Sequence, residues 1–342
     1  MKARLKNTVK ILFGAIFYYS GAFHMVRLWN NLRGRRLTIV TYHRVTERAI
    51  SELKHSLPFL FVSTNSFRLH LDFFKRHYRL MDFARLSSYL NNGEVPPNSL
   101  ILTFDDGYRD NLLYALPLIK KEGCPWVLFL ATGLVGSGGR CWWDGMYSAL
   151  TRLREFESQD RLPPLPEDLL GLYREFKKGP AALFARLNGL PEGRMEKLLE
   201  SAWRAIPGHE EKITGENKFL HWTDIEKMAG LMEFGSHTHL HVNLKGVDRR
   251  RAAQEIGISK RILEERIGKK VLAFSYPAGG HDDELVARVE SAGYRFAVTT
   301  EPGINDLKNP HLLKRINIWE GTAPYSDSKY AKGWFAYKIS GF

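Results

Sequence analysis

The run Leu100-Ile101-Leu102-Thr103-Phe104 stops abruptly at Asp105-Asp106-Gly107. A continuous apolar, β-forming run of this kind reads as a strand buried on both faces, as in a parallel sheet. The C-terminal ends of such strands are where α/β folds place their ligands. Two adjacent carboxylates repel each other, so ionising both demands a cation or strong donors nearby. Asp-Gly is also a common turn pair, and the pair taken alone leaves a turn and a site both open.

The flanking sequence fits the same sheet. Leu37–Tyr42 is a second short β-rich run, and it ends at His43. Residues 66–78 and 83–90 carry apolar positions at helical spacing, and 44–63 reads as a loop. After Gly107, residues 111–121 are helical, Gly123 and Pro125 end that helix, and 126–130 is the next buried strand. Strand, helix and strand at this spacing form a βαβ unit, hence a parallel sheet. With 342 residues, the chain suffices for one large α/β domain or two small ones.

Between about 145 and 218 the pattern turns to charged, helix-forming sequence interrupted by prolines and glycines. This is expected to be a helical insertion that covers the site mouth, faces a partner or is inert. The sheet pattern then resumes. Thr223-Asp224-Ile225-Glu226 suggests a capping box with Trp222 as its staple. A strand near 232–236, a helix at Arg249–Ile267, a strand at 271–276 and a helix at 283–292 follow. Strands at 296–300 and 314–319 complete the pattern, and residues 321–342 form a tail with no assignment.

Residues 1–36 contain no acidic residue. Lys2, Arg4, Lys6 and Lys10 precede an apolar stretch, and Arg27, Arg33, Arg35 and Arg36 follow it. That stretch, 11–26, is shorter than the roughly twenty residues that span a bilayer comfortably. No small-x-small cleavage site marks it as a signal peptide. Basic flanks with Phe, Tyr and Trp suit a helix lying in the membrane interface; the alternative is a helix packed on the protein's own core. The formal charge of +13 suggests an anionic partner. With the charge concentrated near the N-terminus and no nucleic-acid motif, an anionic membrane surface is expected and nucleic acid is not. The expected location is membrane-associated, of the bacterial inner-membrane type. Cys124 and Cys141 have neither zinc-ribbon nor Cys-x-x-Cys spacing and are expected to be bystanders.

His237 and His241 stand four residues apart, close enough in a tight loop for two imidazoles to reach one ion. Imidazole suits late first-row divalent metals, and a carboxylate completes the set. Joined to Asp105 and Asp106 at another strand end, the pair supplies the cation that the carboxylates demand. His239, between them, is the less favoured ligand.

Taken together, these residues carry a resemblance. Thr103-Phe104-Asp105-Asp106-Gly107, Gly235-Ser236-His237-Thr238-x-x-His241 and Phe274-Ser275-Tyr276-Pro277-Ala278-Gly279 resemble, in order and spacing, the motifs of the polysaccharide deacetylases, carbohydrate esterase family four. The likeness runs from about 38 to 318 and is interrupted by the insertion. It implies an α/β fold, a distorted (β/α) barrel of the NodB-homology type with fewer than eight strands and a helical insertion. The domain is then 37–320, between the membrane-associating segment 1–36 and the tail 321–342. The resemblance implies a divalent metal, zinc first, with cobalt, nickel or manganese as options, held by Asp106, His237 and His241. It makes Asp105 the general base and the N–H of Ala278 an oxyanion donor. Tyr276 and Trp143 stand as substrate-contacting candidates, with Trp142 and Trp222 as further aromatics that could stack on sugars.

Two departures need accommodation. No Leu-x-His motif supplies a late acid histidine. Tyr42-His43 instead resembles the permuted arrangement of poly-N-acetylglucosamine deacetylases, which assigns His43 as the acid. Ser275 stands where many members carry an arginine that orients the base, and Arg315 is the expected substitute. The implied reaction is removal of N-acetyl groups from amino sugars of a polysaccharide or lipid-linked glycan. The alternatives are a small-molecule C–N hydrolase of the cyclic imide or allantoin type, and an inactive glycan-binding scaffold.

Overall fold

The computed structural model describes residues 2–49, 53–54, 56–137, 141–188, 190, 192–207, 219–321 and 329–341. Two helices open the chain, α1 (Lys2–Tyr19) and α2 (Ala22–Leu32), separated at Gly21 in the left-handed region. There follow β1 (Leu37–Tyr42), β2 (Arg44–Thr46), β3 (Phe61–Ser63), α3 (Thr64–His77), β4 (Arg79–Met81), α4 (Phe83–Asn91) and β5 (Ser99–Phe104). A π-helical turn at Asn111–Ala115 leads into α5 (Leu116–Glu122) and β6 (Val127–Leu130). Four helices come next: α6 (Trp142–Glu157), α7 (Glu167–Lys178), α8 (Pro180–Asn188) and α9 (Glu192–Arg204). The sheet resumes through α10 (Trp222–Met228), β7 (Glu233–Ser236), α11 (Arg249–Ile267), β8 (Ala273–Ser275), α12 (Asp283–Ser291), β9 (Phe296–Val298) and β10 (Ile316–Asn317), and α13 (Lys329–Ile339) ends the order.

Eight of the described strands, rather than the fewer than eight expected, form one curled parallel sheet in the order β10-β1-β5-β6-β7-β8-β9 with β4 also beside β5, and β2 and β3 pair apart from it. β1, β5 and β6 are buried at every position, as their continuous apolar sequences require. β1 takes one edge of β5 along its whole length. The other edge is shared: β4 pairs with Ser99 to Ile101, and β6 with Thr103 and Phe104. At the far end, Leu313 exchanges backbone bonds with Ala297 (2.9 Å) and Thr299 (2.8 Å), which bends the β9 side toward β10. The result is an open, distorted (β/α) barrel with its helices outside.

Several local expectations are corrected. Residues 44–63 contain a parallel pair, β2 with β3, rather than loop alone. The helix after the insertion starts two residues early: Trp222 is inside α10, and the His221 N–H donates to Asp224 Oδ2 (3.1 Å), so the box lies at His221 and Asp224. The helical region begins at Trp142, before 145, and its end at 208–218 lies outside the described residues. The tail contains α13, which packs along α1; Gly14 and Gly333 meet there so closely that a Cβ on either would overlap the partner backbone. Phe335, Ala336 and Ile339 of α13 join the main core, as do Phe17 and Phe23 from the N-terminal helices.

The outer side of α1 and α2 remains apolar and exposed, including Leu12, Ile16, Met25, Leu28, Trp29 and Leu32. Among the described residues no single helix is long and apolar enough to cross a membrane. Val9–Tyr19 and Ala22–Leu32 together have the length and composition, bent by 66°.

Candidate metal centre and active site

The parallel sheet brings distant residues to one rim. Asp105 and Asp106 follow β5, His237 follows β7, His43 follows β1, and Ser275 with Tyr276 closes β8. Ladder bonds continue just past the strands and fix this level: the Asp105 N–H donates to Tyr42 O (3.0 Å) and the His237 N–H to Leu130 O (2.9 Å).

One oxygen of Asp106 faces two imidazoles. His237 Nε2 lies 3.5 Å and His241 Nε2 3.3 Å from Asp106 Oδ1. Ligand atoms of the three residues all lie within 4.8 Å of one another, the geometry of a site that could chelate a divalent metal. His237 Nδ1 is 2.8 Å from Ser275 O; donating there leaves Nε2 as a lone pair facing Asp106, as ligation requires. Burial pushes the His237 imidazole down to about 4, helped by the neighbouring His241 and resisted by Asp105 and Asp106. It is therefore neutral at ordinary pH. Burial opposes the charge on Asp106, yet the hydrogen bond and charge of His241 hold its carboxyl below the ordinary value. Apart from the two imidazoles that face it, buried Asp106 Oδ1 has no donor, which suits this oxygen to a cation shared with them.

The backbone is strained at these residues. Asp106 (φ 74°), Thr238 (φ 64°), His241 (φ 58°) and Ala278 (φ 52°) all occupy the left-handed region. Non-glycine residues adopt it at a cost of order 1–3 kcal/mol each and cluster at functional sites when they do. Gly107 (φ 83°) has Leu130 Cδ2 2.5 Å from where a Cβ would stand, so the turn after the carboxylates admits no side chain there.

Asp105 has a different partner. Arg315 grips it with both nitrogens, Nη1 to Oδ1 at 2.8 Å and Nη2 to Oδ2 at 2.7 Å. Their side chains are 2% and 3% exposed. The guanidinium is itself fixed, donating to Thr299 O (3.0 Å), Thr41 Oγ1 (3.1 Å) and Ser275 Oγ (3.0 Å). Burial works against the Asp105 charge. The field of Arg315, with His237, the Arg315 hydrogen bonds and His43 behind it, wins and holds the carboxyl well below the usual range. Arg315 stands just before β10, whose Ile316 pairs with Val40 in mid-β1, so its side chain rises through the barrel interior to reach Asp105 from beneath.

His43, Tyr276, Ala278 and Trp143 line the same cavity as Asp105, Asp106, His237, His241 and Arg315. Tyr276 Oη and His43 Nδ1 are buried without protein partners. The Trp143 ring lies 4.3 Å from that of His241. His239 is outside the cluster: its Nδ1 pairs with Thr132 Oγ1 at 2.9 Å. Trp222 is also outside the cavity lining, 5.3 Å from the Arg266 guanidinium.

A buried polar network escapes a sequence-level search. Arg44 Nε donates to Asp110 Oδ2 (2.7 Å), and Nη1 lies 3.7 Å from Asp144 Oδ2. Tyr108 donates to Asp144 (2.7 Å) and accepts from Trp143 Nε1 (2.9 Å). Asn111 donates to the His43 carbonyl (2.9 Å). The network ties α6 to the barrel and backs both His43 and the tryptophan on His241. Its only sequence signal is charge beside the motif positions, which is too common to single out.

Comparisons with known proteins agree with this arrangement. The polysaccharide deacetylase family model matches residues 92–159 and 210–297, blocks that contain the two Asp and the two His. The Bacillus subtilis (strain 168) protein YxkH is 22% identical over 289 residues, 84% of this chain and 72% of its own. The Streptococcus pyogenes deacetylase PplD, solved in complex with acetate, superposes with a TM-score of 0.56 at 19% identity, covering 84% of this chain and 95% of its own. A de-N-acetylase from Aggregatibacter actinomycetemcomitans superposes at 0.53 with 19% identity, over 82% and 94% of the two chains. At these identities the superpositions speak for the fold, while the family match falls on the residues of the site. The chain is thus similar to the polysaccharide deacetylase family over the two blocks that carry its paired aspartates and histidines.

Proposed function

We propose that this protein is a membrane-associated, metal-dependent deacetylase that removes N-acetyl groups from amino sugars of a polysaccharide or lipid-linked glycan. The observation that carries the reading is the division of the two carboxylates. Asp106 converges with His237 and His241, while Asp105 is turned to Arg315 and stays 4.0 Å from His237 Nε2. Asp106, His237 and His241 hold the metal, zinc first with cobalt, nickel or manganese as options. A divalent ion there supplies the charge that acidifies water and polarises an amide carbonyl.

Asp105 takes the proton from water as oxygen adds to the acetyl carbonyl carbon. Arg315 keeps this base ionised and fixes its direction. The Ala278 N–H and the unpaired Tyr276 hydroxyl donate to the developing oxyanion. His43 gives a proton to the departing amine as the C–N bond breaks. Its place before the first motif favours the permuted type, and Asn111 steadies its backbone. The basic, outward-apolar helices α1 and α2 support attachment to an anionic membrane of the bacterial inner-membrane kind. We take 37–320 as the deacetylase domain and the helices from 142 onward as its insertion.

The test is release of acetate from chitooligosaccharide and from poly-N-acetylglucosamine by metal-loaded protein, with Asp105→Asn as control. Acetate release that the control loses is expected. Absence of release from every N-acetylated glycan overturns the reading.

A further inference from the structure

We infer that the active-site cavity binds an aliphatic chain carried by the amino-sugar substrate itself, so that the true substrate is an amphiphile rather than a free glycan. The inference rests on the deacetylase reading and narrows its substrate. The cavity measures about 990 Å³, at the upper end of the roughly 300–1,000 Å³ of small-molecule sites. An acetyl methyl fills little of it.

Its wall is of two kinds. Beside the metal-ligand cluster stand polar groups suited to a sugar, among them Asn243, Lys245 and Asn317. The remainder is hydrocarbon supplied by the segment before β3 and by the insertion: Leu57, Phe59, Phe184, Ala185, Leu187 and Met195. Phe59 and Phe184 meet edge to face at 5.1 Å, which joins the barrel side of this wall to α8. The wall is continuous with the reacting centre, because Trp143 packs on His241 and Trp142 packs on Trp143 at 5.3 Å. Sugar hydroxyls pressed against such a surface would lose water without gaining partners. A hydrocarbon chain gains from the same surface with every methylene it buries. Two attachment points share this chemistry, the N-acyl group and the glycosidic oxygen, and kinetics separates them.

The experiment compares kcat/KM of the metal-loaded protein on methyl and octyl glycosides of N-acetylglucosamine, and on methyl glycosides bearing N-acetyl and N-octanoyl groups, all below micelle-forming concentrations. A rise of at least about tenfold for one octyl compound, carried by KM, is expected, and the compound that shows it identifies the attachment. Ala185→Glu, at an exposed position of the wall, should return the ratio to about one, while Leu231→Glu, outside the cavity, should leave it unchanged. Equal kcat/KM on short and long substrates, read as acetate from the N-acetyl compounds and octanoate from the N-octanoyl one, overturns the inference and leaves the deacetylase intact. Binding of the octyl glycoside, but not the methyl one, read by tryptophan fluorescence without acetate release, overturns the deacetylase reading and keeps the cavity's preference. Binding of neither overturns the inference.

Discussion

Replacing Arg315 by alanine tests the division of labour between the two carboxylates. The guanidinium makes two short bonds to Asp105 in a site where both side chains are almost fully buried. Removing one partner of a buried ion pair typically costs about 3–5 kcal/mol, because the other charge stays behind without compensation. Part of that cost appears as lost stability in urea melts at pH 7. Asp105 has a native value below its unfolded one, so the stability from this pair is present above about pH 4 and lost as pH falls toward the native value. In Arg315→Ala burial acts on Asp105 with its main opponent gone, so its value rises. The acid limb of kcat/KM should move up by at least about one pH unit, and the plateau should drop on the order of a hundredfold as the base loses its direction. Arg315→Lys keeps a charge but not the two-pronged grip, so its acid limb should stay nearer the parent while kcat still falls. Folded, metal-loaded Arg315→Ala with the parental rate and acid limb would refute Arg315 as the orienting partner of Asp105.

Other consequences are as direct. Dialysis against a chelator should abolish acetate release and a divalent metal should restore it; Asp106→Asn and His241→Ala should retain about a tenth or less of the parental metal by elemental analysis. Glu233 accepts from the Phe83 (2.7 Å) and Ala84 (3.2 Å) N–H groups at the start of α4, yet burial, with Asp82 nearby, pushes it up to about 7. Its folded form holds a proton that the unfolded chain has released, so stability should fall as pH rises from about 4.5 to 7. Glu233→Gln should remove that slope and be more stable at pH 8 by about 2–3 kcal/mol in denaturant melts. Gly14→Val places carbon where the Trp334 backbone lies and should expose α13 to limited proteolysis while leaving the far side of the barrel protected. Asp144→Ala strips the buried partner shared by Arg44, Tyr108 and Ser56 and should destabilise the fold by about 3–5 kcal/mol, with Asp144→Asn losing less.

The positions that sequence reveals are those whose chemistry is bound to a strand end. Asp105, Asp106 and His237 interrupt apolar runs, and a parallel sheet carries such interruptions to one rim whatever lies between them in the chain. His241 follows from spacing alone. Arg315 breaks that rule: it precedes β10 and reaches the rim through the barrel, so nothing local marks it, and only the serine at 275 hints that an arginine is missing elsewhere. Elements of three residues, such as β2, β3 and β4, are too short for a period-two pattern, and β2 further hides itself by burying a charged residue, Arg44. The helix α13 has a weakly amphipathic sequence and a glycine in its middle, and its place depends on Gly14, more than three hundred residues away. The same reasoning explains the insertion. Its helices were legible from composition, but the hydrocarbon they present to the metal cluster depends on how α8 meets Phe59, a contact between segments that are remote in sequence. The motifs therefore specify the reacting bond, whereas what surrounds that bond is set by tertiary packing outside them. If the insertion's wall selects the substrate as proposed, two chains with identical motifs but different insertions should share the chemistry and differ in substrate.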